Sequence, residues 1–394
     1  MKAMILGAGK GTRVRPVTYT VPKPMISLAG KPVLEFIVEH LVAQGFSQIV
    51  INTSYMADTI EGYFRDGSRF GADIAYSFEG KLVDGELQGE AIGSAGGMKK
   101  VQDFSGFFDD TFAVLCGDAV IDVDLRAALE FHRSRGAVAT IILKEVEPDE
   151  VSSYGIVQLG DDGRIERFQE KPTPEEAVSR VANTGIYLFE PEVFSFIPSG
   201  VEYDIGSQLF PALVAAGAPL YGIALPFTWL DIGNVRSWWD ATRSVVSGEL
   251  AGFKLPGREL RPGIFCGLNC SIDFDAVEIA PPVLIGGSVS VGAGARIIGP
   301  AVIGPGSVIE PGADISGCII DSYTRVGGVA TLEDKIIFGN RCISPDGVSI
   351  RIADHDIGWI LGDAREQGPP NPVNETLQEL ANELRDKNGP QVLI

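Results

Sequence analysis

Ile279, Ile285, Val291, Ile297, Ile303, Ile309 and Ile315 stand six residues apart without a break. Neither a helix, with its period near 3.6, nor a half-buried strand, with its period of two, puts such residues on one face. Short strands joined by tight corners do. Glycine follows the aliphatic residue at Ile285, Val291 and Ile303. After Ile315 the phase slips by one, and Ile320, Val326, Leu332 and Phe338 resume the period. The pattern predicts a parallel β-helix, three short strands per coil around a stacked aliphatic core.

A chain of 394 residues has room for a second domain. The register changes at a linker, which divides the chain into a domain over 1–250, the linker over 251–263, the β-helix over 264–350 and a tail over 351–394. In the tail, Asn374 is placed to cap a short helix carrying Leu377, Leu380 and Leu384.

The first 250 residues alternate strands and helices. Lys2–Leu6, Gln48–Asn52 and Asp73–Phe78 read as buried strands, and Pro32–Val42 and Ala57–Arg65 as helices between them. That order implies an α/β, doubly wound, mostly parallel, Rossmann-like sheet. His40 falls on the polar side of its helix, as a solvated residue. Further on come a strand over Phe112–Cys116, a helix over Leu125–Arg135 capped by Asp124, and a hairpin of Gly155–Leu159 with Arg164–Gln169. A helix over Ile205–Ala216, a strand over Leu220–Leu225 and a helix ending at Val246 follow.

The first strand runs into Leu6-Gly7-Ala8-Gly9-Lys10-Gly11-Thr12-Arg13, with Pro22-Lys23-Pro24 behind it. Glycines there let backbone N–H groups close around an anion, and Arg13 and Lys23 supply positive charge. A dinucleotide fingerprint would need a glycine where Thr12 stands, and the P-loop spacing is absent. Gln88-Gly89-Glu90-Ala91-Ile92-Gly93-Ser94-Ala95-Gly96-Gly97 is a second small-residue loop, suited either to close helix packing or to meeting a flat ligand. Asp118 follows the strand ending at Cys116, the end of an open α/β sheet where ligands bind. Asp231 is a second carboxylate in a tight, small-residue context.

The formal charge of −20 argues against nucleic acid and anionic lipid as partners, but not against a small polyanion in its own pocket. No apolar run approaches a membrane span, and Met1 leads directly into a core strand, so no signal peptide is expected. The five cysteines show no metal spacing, and a reducing cytoplasm is the expected compartment.

Gly7-x-Gly9-x-Gly11-Thr12-Arg13-x-x-Pro16-x-Thr18 followed by Pro22-Lys23-Pro24-Met25 resembles the signature of the sugar-1-phosphate nucleotidylyltransferases, or NDP-sugar pyrophosphorylases. Gly93-Ser94-Ala95-Gly96, Gly117-Asp118, Tyr154-Gly155, Glu170-Lys171-Pro172, Asn183-Thr184-Gly185 and Trp229-Leu230-Asp231-Ile232-Gly233 match that family's later blocks in order. The chain departs from the pattern at Gly7, where alanine is usual, and in the second loop. The hexapeptide half resembles the left-handed β-helix appended to some members.

The resemblance implies transfer of a nucleotidyl group from a nucleoside triphosphate to a sugar 1-phosphate, with Mg²⁺ as cofactor. It places the backbone from Leu6, Gly7, Ala8, Gly9, Gly11 and Thr12, together with Arg13, on the triphosphate. Lys23 falls near the transferred phosphoryl group, and Asp118 and Asp231 on the metal. Lys171 meets the sugar phosphate, Glu170, Asn183, Tyr154 and Gly155 face sugar hydroxyls, and the stretch from Gln88 to Gly93 faces the base.

The second loop, Gly-Glu-Ala-Ile-Gly-Ser-Ala-Gly-Gly, resembles that of a cyanobacterial type similar to a UDP-glucose pyrophosphorylase. It implies UTP and glucose 1-phosphate, with GTP and mannose 1-phosphate as the alternative. Two other classes compete. An acetyltransferase β-helix would want a histidine in the coils, where none stands; a non-catalytic regulatory paralogue would have lost part of the charged set, which is complete. The β-helix is expected to join copies into a homo-oligomer.

Overall fold

A computed structural model of the chain describes residues 1–250, 253–355 and 357–366. The helix expected after Asn374 lies outside the described residues. The chain forms two compact units, one of residues 1–27 and 31–233, the other of residues 28–30 and those from 234 onward.

The first unit carries, in order, β1 (Lys2–Leu6), α1 (Val33–Ala43), β2 (Gln48–Thr53), α2 (Ala57–Phe64) and β3 (Asp73–Phe78). The hairpin β4 (Gly80–Val83) and β5 (Glu86–Gly89) precedes α3 (Ser94–Ser105), β6 (Phe112–Cys116), β7 (Ala119–Ile121) and α4 (Leu125–Arg135). Then come β8 (Ala139–Glu145), β9 (Gly155–Leu159), β10 (Ile165–Glu170) and β11 (Val181–Phe189). α5 (Phe210–Ala215), β12 (Leu220–Ala224) and β13 (Trp229–Asp231) complete it.

Nine of these strands make one sheet, in the order β10-β9-β11-β6-β1-β2-β3, with β8 pairing β11 and β12. β6, β1, β2 and β3 run parallel, as strands joined by helical crossovers must. β11 enters antiparallel to β6, and the tight turn between β9 and β10 permits only antiparallel pairing, so the sheet is mixed. Ala3, Met4 and Ile5 are all fully buried, so β1 is covered on both faces. Met4, Val50 and Val114 pack with Ala95, Met98 and Val101 of α3, and Phe108, Phe112 and Phe194 stack beside them. Each fully buried Met, Val or Phe among them contributes about 1.5–3 kcal/mol.

Asp124 caps α4 as expected, accepting from the N–H groups of Arg126 and Ala127 at 3.0 Å. His40 is not the solvated residue its helix face suggested. It is half-buried, and its Nε2 lies 2.8 Å from the Val123 carbonyl where the loop before α4 crosses α1. The helix anticipated from Ile205 opens as a π-helical turn over Ile205–Leu209 and is α-helical only from Phe210, beside Pro211, which has no N–H to give.

The second unit is a parallel β-helix of three stacked sheets. Ile279, Ile297, Ile315 and Leu332 align on one sheet, Ile285, Ile303, Ile320 and Ile337 on the next, and Val291, Ile309 and Val326 on the third. The sequence period placed Phe338 in this stack; the residue in register with Ile320 is Ile337. The corner after Leu332 is one residue shorter, as is the corner after Ile315, so the phase slips twice. Phe338 instead meets the edge of Trp238 at 6.1 Å.

Trp238 belongs to α6 (Val235–Val246), which begins at an Asn234–Ser237 capping box. α6 packs within this second unit, where Arg243 also pairs with Asp334 at 3.2 Å. The compact units therefore part at Gly233, ahead of the anticipated boundary at 250. Antiparallel strands Ile336–Phe338, Arg341–Ile343 and Ser349–Arg351 end the parallel stacking. Among the described residues no helix is long and apolar enough to cross a membrane.

Candidate active site

β1 stops at Leu6, and the chain turns over the end of the sheet. The Gly7 N–H donates to Asn52 Oδ1 at 2.6 Å. Among the described residues the amides of Ala8, Gly9, Lys10 and Gly11 donate to no protein acceptor, which leaves four consecutive N–H groups for an anion. Gly11 sits at φ +59°, and its carbonyl accepts from Val14 N–H at 3.0 Å and Thr18 Oγ1 at 2.8 Å. A Cβ there would lie 2.8 Å from Lys23 Cβ, so the loop folds directly onto the lysine stem. Fold-back of the loop thus brings Lys23 beneath it.

Lys23 is buried, and its Nζ lies 2.5 Å from Asp118 Oδ2. Asp118 is carried there because Gly117 N–H donates to the Leu6 carbonyl at 2.9 Å, tying the ends of β6 and β1 together. The ribbon β7–β13 then sets Asp231 opposite Ala119, and Ile232 N–H donates to the Asp118 carbonyl at 3.0 Å. Burial, and next the Asp118 charge, push the Asp231 carboxyl up to about 6, against the pull of Lys23 and Arg13. Two carboxylates held side by side in a half-buried place call for positive charge. The Arg13 guanidinium is near, 3.9 Å from where a Cβ on Gly233 would stand. Cys116, beneath them, is kept a thiol by burial.

Tyr154 packs against Trp229 with the rings tilted and 4.7 Å apart, and it feels the charges of Asp231, Arg13 and Asp118; burial, first, and Asp231 raise its hydroxyl to about 12. Lys171 N–H donates to the Tyr154 carbonyl at 3.2 Å, and Gly155 faces Glu170 across the hairpin. The Lys171 ammonium lies 3.3 Å from Glu170, with both side chains exposed enough to exchange partners. Asn183 is engaged at both ends: Nδ2 donates to Tyr187 Oη at 3.0 Å, and Oδ1 accepts from Gly185 N–H at 3.0 Å.

The second loop divides. Gln88 is not in a loop: it lies on the exposed strand β5, paired with Lys81. Gly93, Gly96 and Gly97 are places of close packing. A Cβ on Gly93 would stand 2.4 Å from the Tyr203 carbonyl, one on Gly96 3.1 Å from the Val201 carbonyl, and one on Gly97 2.4 Å from Glu79 Oε1.

Sequence reasoning passed over several residues here. Asp204 accepts from Ser94 Oγ at 2.7 Å and Ser207 N–H at 2.9 Å; burial pushes its carboxyl up, but these hydrogen bonds outweigh it and hold it below the usual range. Asp204-x-x-Ser207 is a helix-start pattern that could have marked it. Asn52, at the end of an apolar strand, carries the same positional signal that singled out Asp118.

The family profile described as "Nucleotidyl transferase" matches residues 2–248. The chain belongs to the nucleotidyl transferase family. It is 53% identical over 365 residues to a UTP–glucose-1-phosphate uridylyltransferase of Synechocystis, spanning 93% of this chain and 94% of that protein. It is 32% identical to a mannose-1-phosphate guanylyltransferase of Mycobacterium tuberculosis, spanning 81% of this chain and 82% of the other. A solved structure from Bacillus anthracis, provisionally named glucose-1-phosphate thymidylyltransferase and complexed with a sucrose, superposes with a TM-score of 0.54 at 26% identity. It covers 65% of this chain and 98% of its own. That likeness, reaching about two thirds of the chain, accords with the mixed sheet described above.

Proposed function

We propose that this nucleotidyl transferase joins a nucleoside triphosphate to a sugar 1-phosphate, and that the pair is UTP and glucose 1-phosphate. The observation that carries the reaction is the cluster of Lys23, Asp118, Asp231 and Arg13 beside four loop amides that have no protein acceptor among the described residues. A phosphate oxygen of the sugar 1-phosphate attacks the α-phosphorus, the bond from that phosphorus to the bridging oxygen breaks, and pyrophosphate leaves with the electron pair. The nucleophile is already an anion, so no general base is required; the barrier is charge and alignment.

Each group then has a task. The amides of Ala8 to Gly11 and the Arg13 guanidinium hold the triphosphate. Lys23, oriented by Asp118, offers its ammonium to charge developing on the transferred phosphoryl group. Lys171 meets the incoming sugar phosphate and exchanges its Glu170 contact for it, while Glu170, Asn183 and the Tyr154-Gly155 backbone face the sugar. The strand and loop from Gln88 to Gly93 lie toward the base.

Asp118 and Asp231 fit a divalent cation. Two half-buried carboxylates carried side by side on paired strands suit Mg²⁺ held together with substrate phosphates and water. Such an ion supplies neutralisation of phosphate charge when bound.

UTP and glucose 1-phosphate are favoured by the likeness to the Synechocystis protein across nearly the whole chain. A matrix of four nucleoside triphosphates against several sugar 1-phosphates, read by pyrophosphate release, tests this. The UTP and glucose 1-phosphate pair should have the highest kcat/KM. Faster turnover of GTP with mannose 1-phosphate would move the assignment, and no pyrophosphate from any pair would leave a nucleotide-sugar-binding regulator. The β-helix we assign to self-association; a monomer by light scattering would contradict that.

A further inference from the structure

Behind the glycine loop lies a pair that the proposed reaction does not touch. Asn52, at the end of β2, and Glu79, just past β3, are each 2% exposed. Asn52 Oδ1 accepts from Gly7 N–H at 2.6 Å, and Asn52 Nδ2 donates to Glu79 Oε1 at 2.6 Å. Glu79 Oε2 accepts from Ile92 N–H at 3.4 Å, and the Glu79 carbonyl accepts from Glu90 N–H at 3.0 Å and Ser54 Oγ at 2.8 Å. The pair therefore connects the first residue of the phosphate loop to the backbone at 90–92, the stretch read as facing the base.

We propose that Asn52 and Glu79 are positioning residues, setting the glycine loop and the base-side loop in one fixed relation so that both ends of a nucleoside triphosphate are met together. The proposal rests on the nucleotide-binding reading of those two loops. Its logic is that of donors and acceptors. A backbone N–H can only donate and a carboxylate can only accept, so Asn52 has one orientation that satisfies both neighbours. Glu79, by accepting, holds the Asn52 amide so that its oxygen meets Gly7. Burial pushes the Glu79 carboxyl above its usual range, and the Asn52 amide, the Ile92 N–H and the Lys100 charge pull it back.

The surrounding glycines support this independently. A Cβ on Gly7 would stand 2.9 Å from the Asn52 carbonyl, and one on Gly97 2.4 Å from Glu79 Oε1 and 3.1 Å from Asn52 Nδ2. A residue without Cβ on each side lets β1 and α3 close over the pair.

The test is a chemical swap. In Asn52→Asp two acceptors face each other across the 2.6 Å contact. In Glu79→Gln a donor is added where Ile92 N–H or Asn52 needs an acceptor. In the double variant the carboxylate introduced by Asn52→Asp accepts from both Gly7 N–H and the new amide, whose own oxygen remains for Ile92 N–H, so every partner is again satisfied. Titration of UTP into the full chain should show Asn52→Asp binding about tenfold more weakly or worse, and the double variant regaining most of that loss. Where pyrophosphate release is measured, the UTP KM should follow the same order and the sugar-phosphate KM should stay within about twofold.

Equal UTP affinity in wild type and Asn52→Asp overturns the proposal, as does a double variant no better than Asn52→Asp. If the swap restores UTP binding while wild type releases no pyrophosphate with any pair, the transferase reading fails and the positioning role stands.

Discussion

Alanine placed at Gly9 and, separately, at Gly11 distinguishes what the phosphate loop does for its own fold from what it does for a ligand. At Gly11 the backbone is left-handed, φ +59°, which costs an alanine about 1–2 kcal/mol. The new Cβ would also stand 2.8 Å from Lys23 Cβ and 3.0 Å from Thr18 Cγ2, and relieving such overpacking costs about 1–3 kcal/mol. The stiffer unfolded chain returns about 0.4–1 kcal/mol. The net expectation for Gly11→Ala is a loss of about 2–4 kcal/mol in stability. Because the displaced stem carries the ammonium that sits 2.5 Å from Asp118, kcat should fall as well.

Gly9 is the opposite case. A Cβ there meets nothing within 4 Å, so Gly9→Ala should fold as stably as wild type or slightly better. Its only new neighbour would be a bound triphosphate. Losing one hydrogen bond to a charged group costs about 1.5–3 kcal/mol, so the KM for the nucleoside triphosphate should rise about tenfold or more. Urea unfolding and steady-state kinetics on the two variants are the assay. A Gly11→Ala protein as stable as wild type would refute the contact with Lys23. A Gly9→Ala protein with an unchanged nucleotide KM would refute the anion cradle itself.

Other consequences are as direct. Asp118→Asn and Asp231→Asn should each lower kcat by about a hundredfold or more, and UTP with Mg²⁺, expected to raise the melting temperature of the wild type, should no longer do so in either variant; near-normal turnover in either would remove that residue from the metal role. Lys171→Met should raise the KM for the sugar 1-phosphate at least about tenfold and leave the nucleotide KM near wild type, by initial rates with each substrate varied in turn. His132 is held against protonation chiefly by burial, between Thr140 at 2.8 Å and Glu190 at 3.1 Å. Below about pH 6.5 the unfolded chain therefore takes up a proton that the folded chain resists, and stability falls with pH. The raised carboxyls of Asp231 and Glu79 act in the opposite sense, so the measurement is the difference between wild type and His132→Gln. Between pH 7.5 and 5.5 the variant should lose less stability in urea than wild type.

The legible parts of this chain are those where one residue type has one physical reason to be where it is. An aliphatic residue every six positions has no stable home but a coiled stack, so the β-helix and its inward residues followed from periodicity alone. The exception is the last coil, because the second slip, after Leu332, comes at a shortened corner with no glycine or proline to mark it. Asp118 stood out because an ionised group at the end of a buried strand must have a partner or a ligand, and the partner is the Lys23 ammonium; Asp231 stood out only by its small-residue surroundings. Glycines are ambiguous in a way that carboxylates are not. Open space lies where a Cβ on Gly9 would stand, while Gly93 and Gly97 leave space for the Tyr203 carbonyl and the Glu79 carboxylate. Sequence shows the missing Cβ and not the atom that takes its place. The same limit hid Asn52, whose worth depends on a glutamate 27 residues away meeting it across a parallel strand pair. Local pattern can locate a group that meets a ligand directly; a group that acts through another becomes visible only when the register is known.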